Sequence, residues 1–172
     1  MTTRMITLIG LILVAAFSRL IPHPWNFTAV GAIALFGGSF VPSKKLSLVL
    51  PLAALFVSDL VLGLHNTIGY VYFAFTLNVI IGWGLRENRT AVKVTSYALF
   101  SSSLFFLISN FGVWMSGQMY PMTLQGLVSC YVAAIPFFDN QIYGDLFFSA
   151  VLFGGYEYMR KVLPQWTFNT QA

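Results

Sequence analysis

Three charged residues lie within long apolar stretches of this sequence. Arg19 lies late in the first stretch, Asp59 lies in the third, and Asp145 lies early in the last. Charged groups surrounded by apolar residues are costly unless they pair or line a polar cavity, so each marks a candidate site. An ion pair between Arg19 and Asp59 would neutralise both residues, and Asp145 or Asp139 is a second possible partner. These charges therefore serve either as a structural ion pair or as part of a binding site.

Hydrogen-bonding and aromatic residues accompany these charges at one end of the predicted helices. Trp and Tyr favour both headgroup levels of a bilayer, so an interfacial aromatic belt is the alternative interpretation. A belt does not explain why Asn110 joins Arg19 and Asp59, since all three need polar partners or a cavity. We therefore predict an outward-facing ligand pocket. The predicted pocket residues are Arg19, His23, Trp25, Asn26, Asp59, His65, Asn110, Trp114, Tyr120 and Asp145.

Polar residues in the middle of the predicted helices are expected to have a structural role. Asn78 lies in the fourth stretch, and Ser101, Ser102 and Ser103 follow one another in the fifth. Such side chains bond across helices or back to carbonyls of their own helix. We predict that they hold helices together and bind no ligand.

The sequence contains no recognisable catalytic or metal-binding motif. It has no P-loop, no G-x-S-x-G and no H-E-x-x-H pattern. His23 and His65 are isolated from cysteine and carboxylate ligands, and the single cysteine, Cys130, excludes an intramolecular disulfide. We expect neither an enzyme nor a metal or other cofactor. The basic residues form no patch with exposed aromatics, so nucleic acid is not an expected partner.

The composition indicates a membrane protein. Of its 172 residues, 58% are hydrophobic and only 8% are charged, whereas soluble domains carry about 25% charged residues. A soluble fold of this size could not hide so much apolar surface from water. No Pro- or Ser-rich linker divides the chain, so residues 1–172 are expected to form one integral membrane domain.

Six apolar stretches are predicted to be membrane-spanning helices, which need roughly 17–25 residues; the second of them is short and glycine-rich. They cover residues 5–21, 27–41, 46–64, 68–85, 94–116 and 142–163. Residues 124–138 are apolar but short, and the sequence around them is interrupted by Pro121, Pro136 and Asp139. We expect them to form a short extra helix or re-entrant segment at the outer face. The first stretch resembles a signal peptide but lacks a well-formed cleavage site, so we expect an uncleaved helix.

The basic residues predict the orientation of these helices. Eight of the nine basic residues fall on one side if the N-terminus is cytoplasmic, which satisfies the positive-inside rule. A seventh span would move the last two to the other side. We therefore expect six spans in a bacterial cytoplasmic (inner) membrane, with both termini cytoplasmic. The eight residues are Arg4, Lys44, Lys45, Arg86, Arg89, Lys93, Arg160 and Lys161.

Several short segments resemble a family of small, uncharacterised bacterial membrane proteins. The similarity extends over nearly the whole chain and implies no settled function. The segments that carry it are residues 19–28 (RLIPHPWNFT), 34–38 (ALFGG), 58–60 (SDL), 109–114 (SNFGVW), 120–121 (YP) and 135–138 (IPFF).

A broader resemblance is to the substrate-binding (S) components of energy-coupling-factor (ECF) transporters, which take up vitamins. Residues 27–64 resemble their short glycine-ended helix, basic inner turn and third helix with a polar pair. The resemblance implies six helices, a substrate site near the outer face, and a partner complex of transmembrane and ATPase subunits. Ala15-Ala16 lacks the Ala-x-x-x-Ala spacing through which those components typically dock.

We therefore predict a membrane subunit that binds a small vitamin-like micronutrient for uptake, with a lipid bilayer, a small-molecule substrate and an ATPase complex as its partners. In this hypothesis Arg19 meets an anionic group or holds Asp59, while Trp25, Trp114 and Tyr120 stack on a ring. The alternative is a non-transporting accessory subunit of a larger membrane complex. A small channel or proton-coupled carrier ranks third, because the inner halves of the helices offer few polar groups.

Overall fold

The computed structural model describes residues 3–162, with side chains from residue 5 onward, and this part of the chain is helical without strands. The side chain of Arg4 and the predicted end of the sixth span at Leu163 lie outside the described residues. The predicted all-helical class with six main helices is confirmed. The helices are α1 (Thr3–Phe17, followed by a 3₁₀ turn, Ser18–Leu20), α2 (Val30–Phe40), α3 (Lys44–Leu62), α4 (Ile68–Trp83), α5 (Ala91–Met115), α6 (Leu124–Ser149) and α7 (Gly155–Val162).

The sixth helix differs from the prediction. A separate extra segment at 124–138 followed by a span from 142 was expected, but α6 runs without interruption from Leu124 to Ser149. It then passes through a π-helical segment, Ala150–Gly154, into α7. Pro136 lies inside α6, where it removes one backbone hydrogen bond. The prediction of a separate segment was wrong because a proline inside a packed helix need not end it.

Helix α2 is the centre of the bundle. All eleven of its residues are buried, and it packs against α1, α3, α4 and α6. Its closest approach is to α4, where Gly38 and Gly82 face each other: a Cβ added to Gly38 would collide with the carbonyl oxygen of Val79, and one added to Gly82 with that of Leu35. The two glycines therefore set the distance between these backbones.

Two arginines from the loop after α4 bind the C-terminal end of α2. Arg86 donates to the carbonyl oxygens of Gly38, Val41 and Pro42 at 2.8–2.9 Å. Arg89 donates to the carbonyl and hydroxyl of Ser39. The last carbonyls of a helix lack partners within it and carry partial negative charge, so these guanidinium groups stabilise the helix end. Burial lowers the pKa of Arg86.

Two helices in the described part of the chain are long and apolar enough to cross a membrane, α3 (Lys44–Leu62) and α5 (Ala91–Met115). Three more apolar stretches are shorter, Met5–Leu20, Val30–Phe40 and Ile68–Trp83. Length and composition alone make this weak support for membrane insertion. Large apolar side chains are nevertheless exposed on several helices, including Val61, Phe100 and Val132.

Candidate functional site

The predicted outer end of the bundle contains three adjoining cavities. The central cavity, of about 200 Å³, reaches from the loop residues Arg19 and His65 to Asn78 and Asp145 between the helices. A side cavity of about 320 Å³ lies between α4, α5 and α6. A wider outer cavity of about 460 Å³ lies beside the loop after α1. Asn26 lines all three cavities.

Asn26 has an unusual backbone conformation. Its φ of 61° is the only positive value of a non-glycine residue among the described residues, and asparagine tolerates this left-handed region better than most residues. The turn is closed by hydrogen bonds from Phe27 N–H to the Pro24 carbonyl and from Thr28 N–H to the Asn26 carbonyl, both 3.0 Å. The loop is thereby fixed across the ends of the cavities.

Asp145 lies deep in the central cavity and is only 4% exposed. Its carboxylate lies 2.5 Å from the Ser102 hydroxyl and also contacts the backbone N–H of Ala32 and the amide of Gln141. Ala32 belongs to the first turn of α2, whose N–H groups lack partners within the helix. Helix α2 has no side-chain cap of its own. Asp145 thus caps it from α6.

Gly31 is what permits this approach. A Cβ at Gly31 would overlap the Asp145 carboxylate. On the other side of Asp145, a Cβ at Gly144 would press against Phe27 and Thr28 at 3.0–3.2 Å. Close packing at these two glycines brings α6, the N-terminal end of α2 and the loop before it together.

Asn78 lines the same cavity and has no hydrogen-bond partner among the described residues. Its side chain is fully buried, and neither its amide nitrogen nor its oxygen makes a hydrogen bond. The prediction is therefore wrong for this residue, which, within the part of the chain that the structure describes, bonds neither across to another helix nor back to a carbonyl of its own helix. The prediction fits Ser102 and Ser103, whose hydroxyls bond to the carbonyls of Ala98 and Leu99. It fails for Ser101, whose buried hydroxyl has no partner among the described residues. A buried unpaired amide typically costs about 1–3 kcal/mol, which makes Asn78 the notable polar group of the cavity.

The ion pair between Arg19 and Asp59 is present at 2.8 Å. The same nitrogen of Arg19 donates to the Ser58 hydroxyl, and the Tyr72 hydroxyl donates to the other oxygen of Asp59 at 2.9 Å. Of the two roles predicted for Arg19, the structure supports the one in which it holds Asp59. Arg19 also lines the central and outer cavities, whereas Asp59 lines none of the three.

The remaining predicted pocket residues divide between the other cavities and the surface. His23 lines the outer cavity, Trp25 the outer and side cavities, and Asn110 the side cavity. Trp114 and Tyr120 line none of the three. The Trp114 indole donates to the carbonyl of Pro121 at 3.0 Å and so ties the end of α5 to the loop before α6.

Gln141 was missed by the sequence analysis. It is four residues before Asp145, so both side chains lie on one face of α6, and its amide donates to the Ser102 carbonyl at 3.0 Å. The spacing was visible in the sequence. It was overlooked because the sixth helix was predicted to begin at residue 142, which left Gln141 outside it.

Comparison with protein families assigns the chain to a family whose function is unknown. The model of the family of unknown function DUF6580 matches residues 1–166, so the chain belongs to that family. Searches of curated proteins and of solved structures found no match. Among the described residues, no group of three or more His, Cys, Asp and Glu side chains could hold a metal ion.

Proposed function

We propose that this protein crosses a bacterial cytoplasmic membrane six times, with both termini inside, and binds a small water-soluble compound at its outer end for uptake. The bundle has buried polar groups, among them Asp59, Asn78 and Asp145, and exposed apolar ones such as Val61 and Phe100. This distribution suits a hydrocarbon solvent, in which polar side chains face the bundle interior.

Helix lengths are compatible with this topology. At 1.5 Å per residue, α2 is only on the order of 16 Å long, shorter than the roughly 30 Å hydrocarbon core. It is enclosed by other helices and bound by charged groups at both ends, so it needs no contact with lipid. The run from Leu124 to Val162 is on the order of 60 Å long. Its first turns would project beyond the outer surface and form a wall around the cavities.

The observation that carries the binding function is the central cavity itself. It combines aromatic walls, from Phe75 and Phe105, with the polar groups of Asn78, Gln141 and Asp145. Small-molecule sites have this character: a mostly apolar, concave lining with a few placed polar groups. A purely structural interior would pair the amide of Asn78.

The role as a capture subunit for vitamin-like micronutrients rests on the resemblance to ECF substrate-binding components. In that role, the compound would be held at the outer end until an ATPase partner complex drives its release inward. Ala15 and Ala16 are each only 6% exposed, so they offer no docking surface. Any coupling would use another face of the bundle.

The test is a ligand screen with a transport readout. Purified full-length protein in detergent is screened against water-soluble vitamins and their precursors by thermal shift. Any compound that raises the melting temperature is then used in radiolabelled form for uptake into cells that express the protein or lack it. We expect one compound to stabilise the protein and its uptake to require the protein.

Absence of any stabilising compound across the panel, with no uptake difference, would contradict the proposal. Purification from native membranes separates the alternatives further. A stoichiometric complex without an ATPase would instead support the accessory-subunit interpretation.

A further inference from the structure

We infer that the compound bound in the central cavity is a small, single-ring molecule that carries an uncharged amide or an equivalent edge with adjacent hydrogen-bond donor and acceptor. This inference deepens the proposed function and rests on it. It follows from the unpaired groups of Asn78, the charges around the cavity and the cavity volume.

The two unpaired atoms of Asn78 define the shape of the partner. Its oxygen can accept a hydrogen bond and its nitrogen can donate one, and neither atom has a partner among the described residues. A partner that satisfies both must present a donor next to an acceptor, as in the bidentate pairing of asparagine with the edge of an adenine base. Carboxamides, lactams and aminopyrimidines have such an edge.

The charges around the cavity disfavour anions. Arg19 is already paired with Asp59, and Asp145 contributes a carboxyl group whose contacts among the described residues are neutral donors. Among the residues that the structure describes, no arginine or lysine other than Arg19 lines the cavity. A ligand carboxylate would therefore be buried in the cavity without a free cation to pair with, which is costly.

The cavity volume limits the size of the ligand. About 200 Å³ is below the roughly 300–1,000 Å³ of sites for drug-sized molecules. A single ring with one short substituent fits that space. The ring would lie near Phe75 and Phe105, whose centroids are 4.9 Å apart and form one aromatic wall.

Three probes of equal ring size test the inference: benzamide, benzoate and acetophenone. Benzamide has the donor and acceptor, benzoate has a negative charge instead, and acetophenone has only the acceptor. Binding to full-length protein in detergent is measured by saturation-transfer NMR with a titration for each probe. Acetophenone also controls for partition into micelles. We expect benzamide to bind at least about tenfold more tightly than the other two, since an unmade hydrogen bond at a buried group costs that much.

Two variants locate the site. Asn78→Leu should weaken benzamide binding by about tenfold or more, whereas Ser103→Ala, at an exposed serine on α5, should leave it unchanged. If Asn78→Leu does not fold, Asn78→Ala provides the same test, because it also removes both the amide donor and the amide acceptor.

The possible outcomes separate this inference from the proposed function. Preferential binding of benzamide that depends on Asn78 supports both. The inference about ligand class is overturned if benzoate binds as tightly as benzamide or more tightly. It is also overturned if the substitution at position 78 leaves benzamide binding unchanged. In that case a vitamin found by the broader screen would still uphold the proposed function. Failure of every vitamin and every probe to bind would overturn both.

Discussion

Asn78 shows how a single residue can be informative because it is unsatisfied. Its backbone is part of α4, and its side chain is completely buried with both polar atoms unpaired. Natural interiors rarely keep such groups, because each loses its hydrogen bonds to water without replacement. Such a group lowers the stability of the folded protein. This loss of stability is expected if the group is kept for binding a ligand.

We therefore predict that Asn78→Leu stabilises the ligand-free protein. Removing the unpaired amide should recover about 1–3 kcal/mol, or several degrees in apparent melting temperature at about 2–4 °C per kcal/mol. The measurement is thermal unfolding of purified protein without ligand. The matched control is Asn110→Leu, whose amide donates to the Phe106 carbonyl at 2.8 Å and should yield no gain. A lower melting temperature for Asn78→Leu would show that the amide contributes to folding.

Removing Arg19 and removing Asp59 should destabilise the protein to different extents. The Asp59 side chain is 4% exposed, whereas that of Arg19 is 18% exposed. Arg19→Met leaves the buried carboxylate with only the Tyr72 hydroxyl as a strong partner, and should destabilise by about 3–5 kcal/mol. Asp59→Asn should cost less, because Arg19 can turn toward water. Thermal unfolding of both single variants and the double variant Arg19→Met/Asp59→Leu gives the coupling energy. If the stability losses of the two single variants add up to that of the double variant, the two residues do not stabilise each other.

At the scale of elements, α2 organises the site. It is short and fully buried, so its ends need partners from elsewhere in the chain. Asp145 supplies the partner at its N-terminal end, and Arg86 with Arg89 supply those at the other. A hydrogen-bond acceptor at the start and positive charge at the end both interact favourably with the helix dipole. The position from which Asp145 caps α2 also lies in the lining of the central cavity.

The contact of α2 with α4 can be tested by two glycines of α4. Gly82→Ala should destabilise the protein, because the new Cβ would meet the backbone of Leu35, which cannot move aside easily. Gly69→Ala should be neutral or stabilising by up to about 1 kcal/mol, because nothing lies within 4 Å of its Cβ position and alanine favours a helix. Thermal unfolding of the two variants compares them directly. Equal effects would mean that α2 and α4 do not approach this closely.

At the scale of the whole molecule, the distribution of polar and apolar groups argues for a membrane. Exposed Val, Leu and Phe side chains surround buried Asp, Asn and Gln side chains. Lys44 and Lys45 begin α3, and Arg86 and Arg89 lie in the loop after α4. The proposed topology places all four on the cytoplasmic side, in agreement with the positive-inside rule. The cavities lie at the opposite end of the bundle.

Cysteine labelling tests this topology. Starting from Cys130→Ser, single cysteines are introduced as His65→Cys in the loop after α3 and Glu87→Cys in the loop after α4. In intact cells with the outer membrane permeabilised, a membrane-impermeant maleimide should modify position 65 and leave position 87 unmodified until the inner membrane is lysed. Reversed labelling would invert the orientation, and labelling of both positions in intact spheroplasts would contradict a six-span protein.

The sequence by itself determined the helical class and the number of main helices, and it offered Asp59 as one possible partner of Arg19, with Asp145 or Asp139 as another. These features can be predicted because the length of each apolar stretch and the few charged residues within it are visible in the sequence without knowledge of the fold. Only the tertiary structure decided that α6 continues through Pro136, because packing against α5 compensates for a lost hydrogen bond. It alone separated Asn78, which finds no partner, from Ser102, which does. Whether a buried polar group is satisfied depends on neighbours distant in the chain, and those distances are set by close contacts such as Gly31 with Asp145 and Gly38 with Gly82.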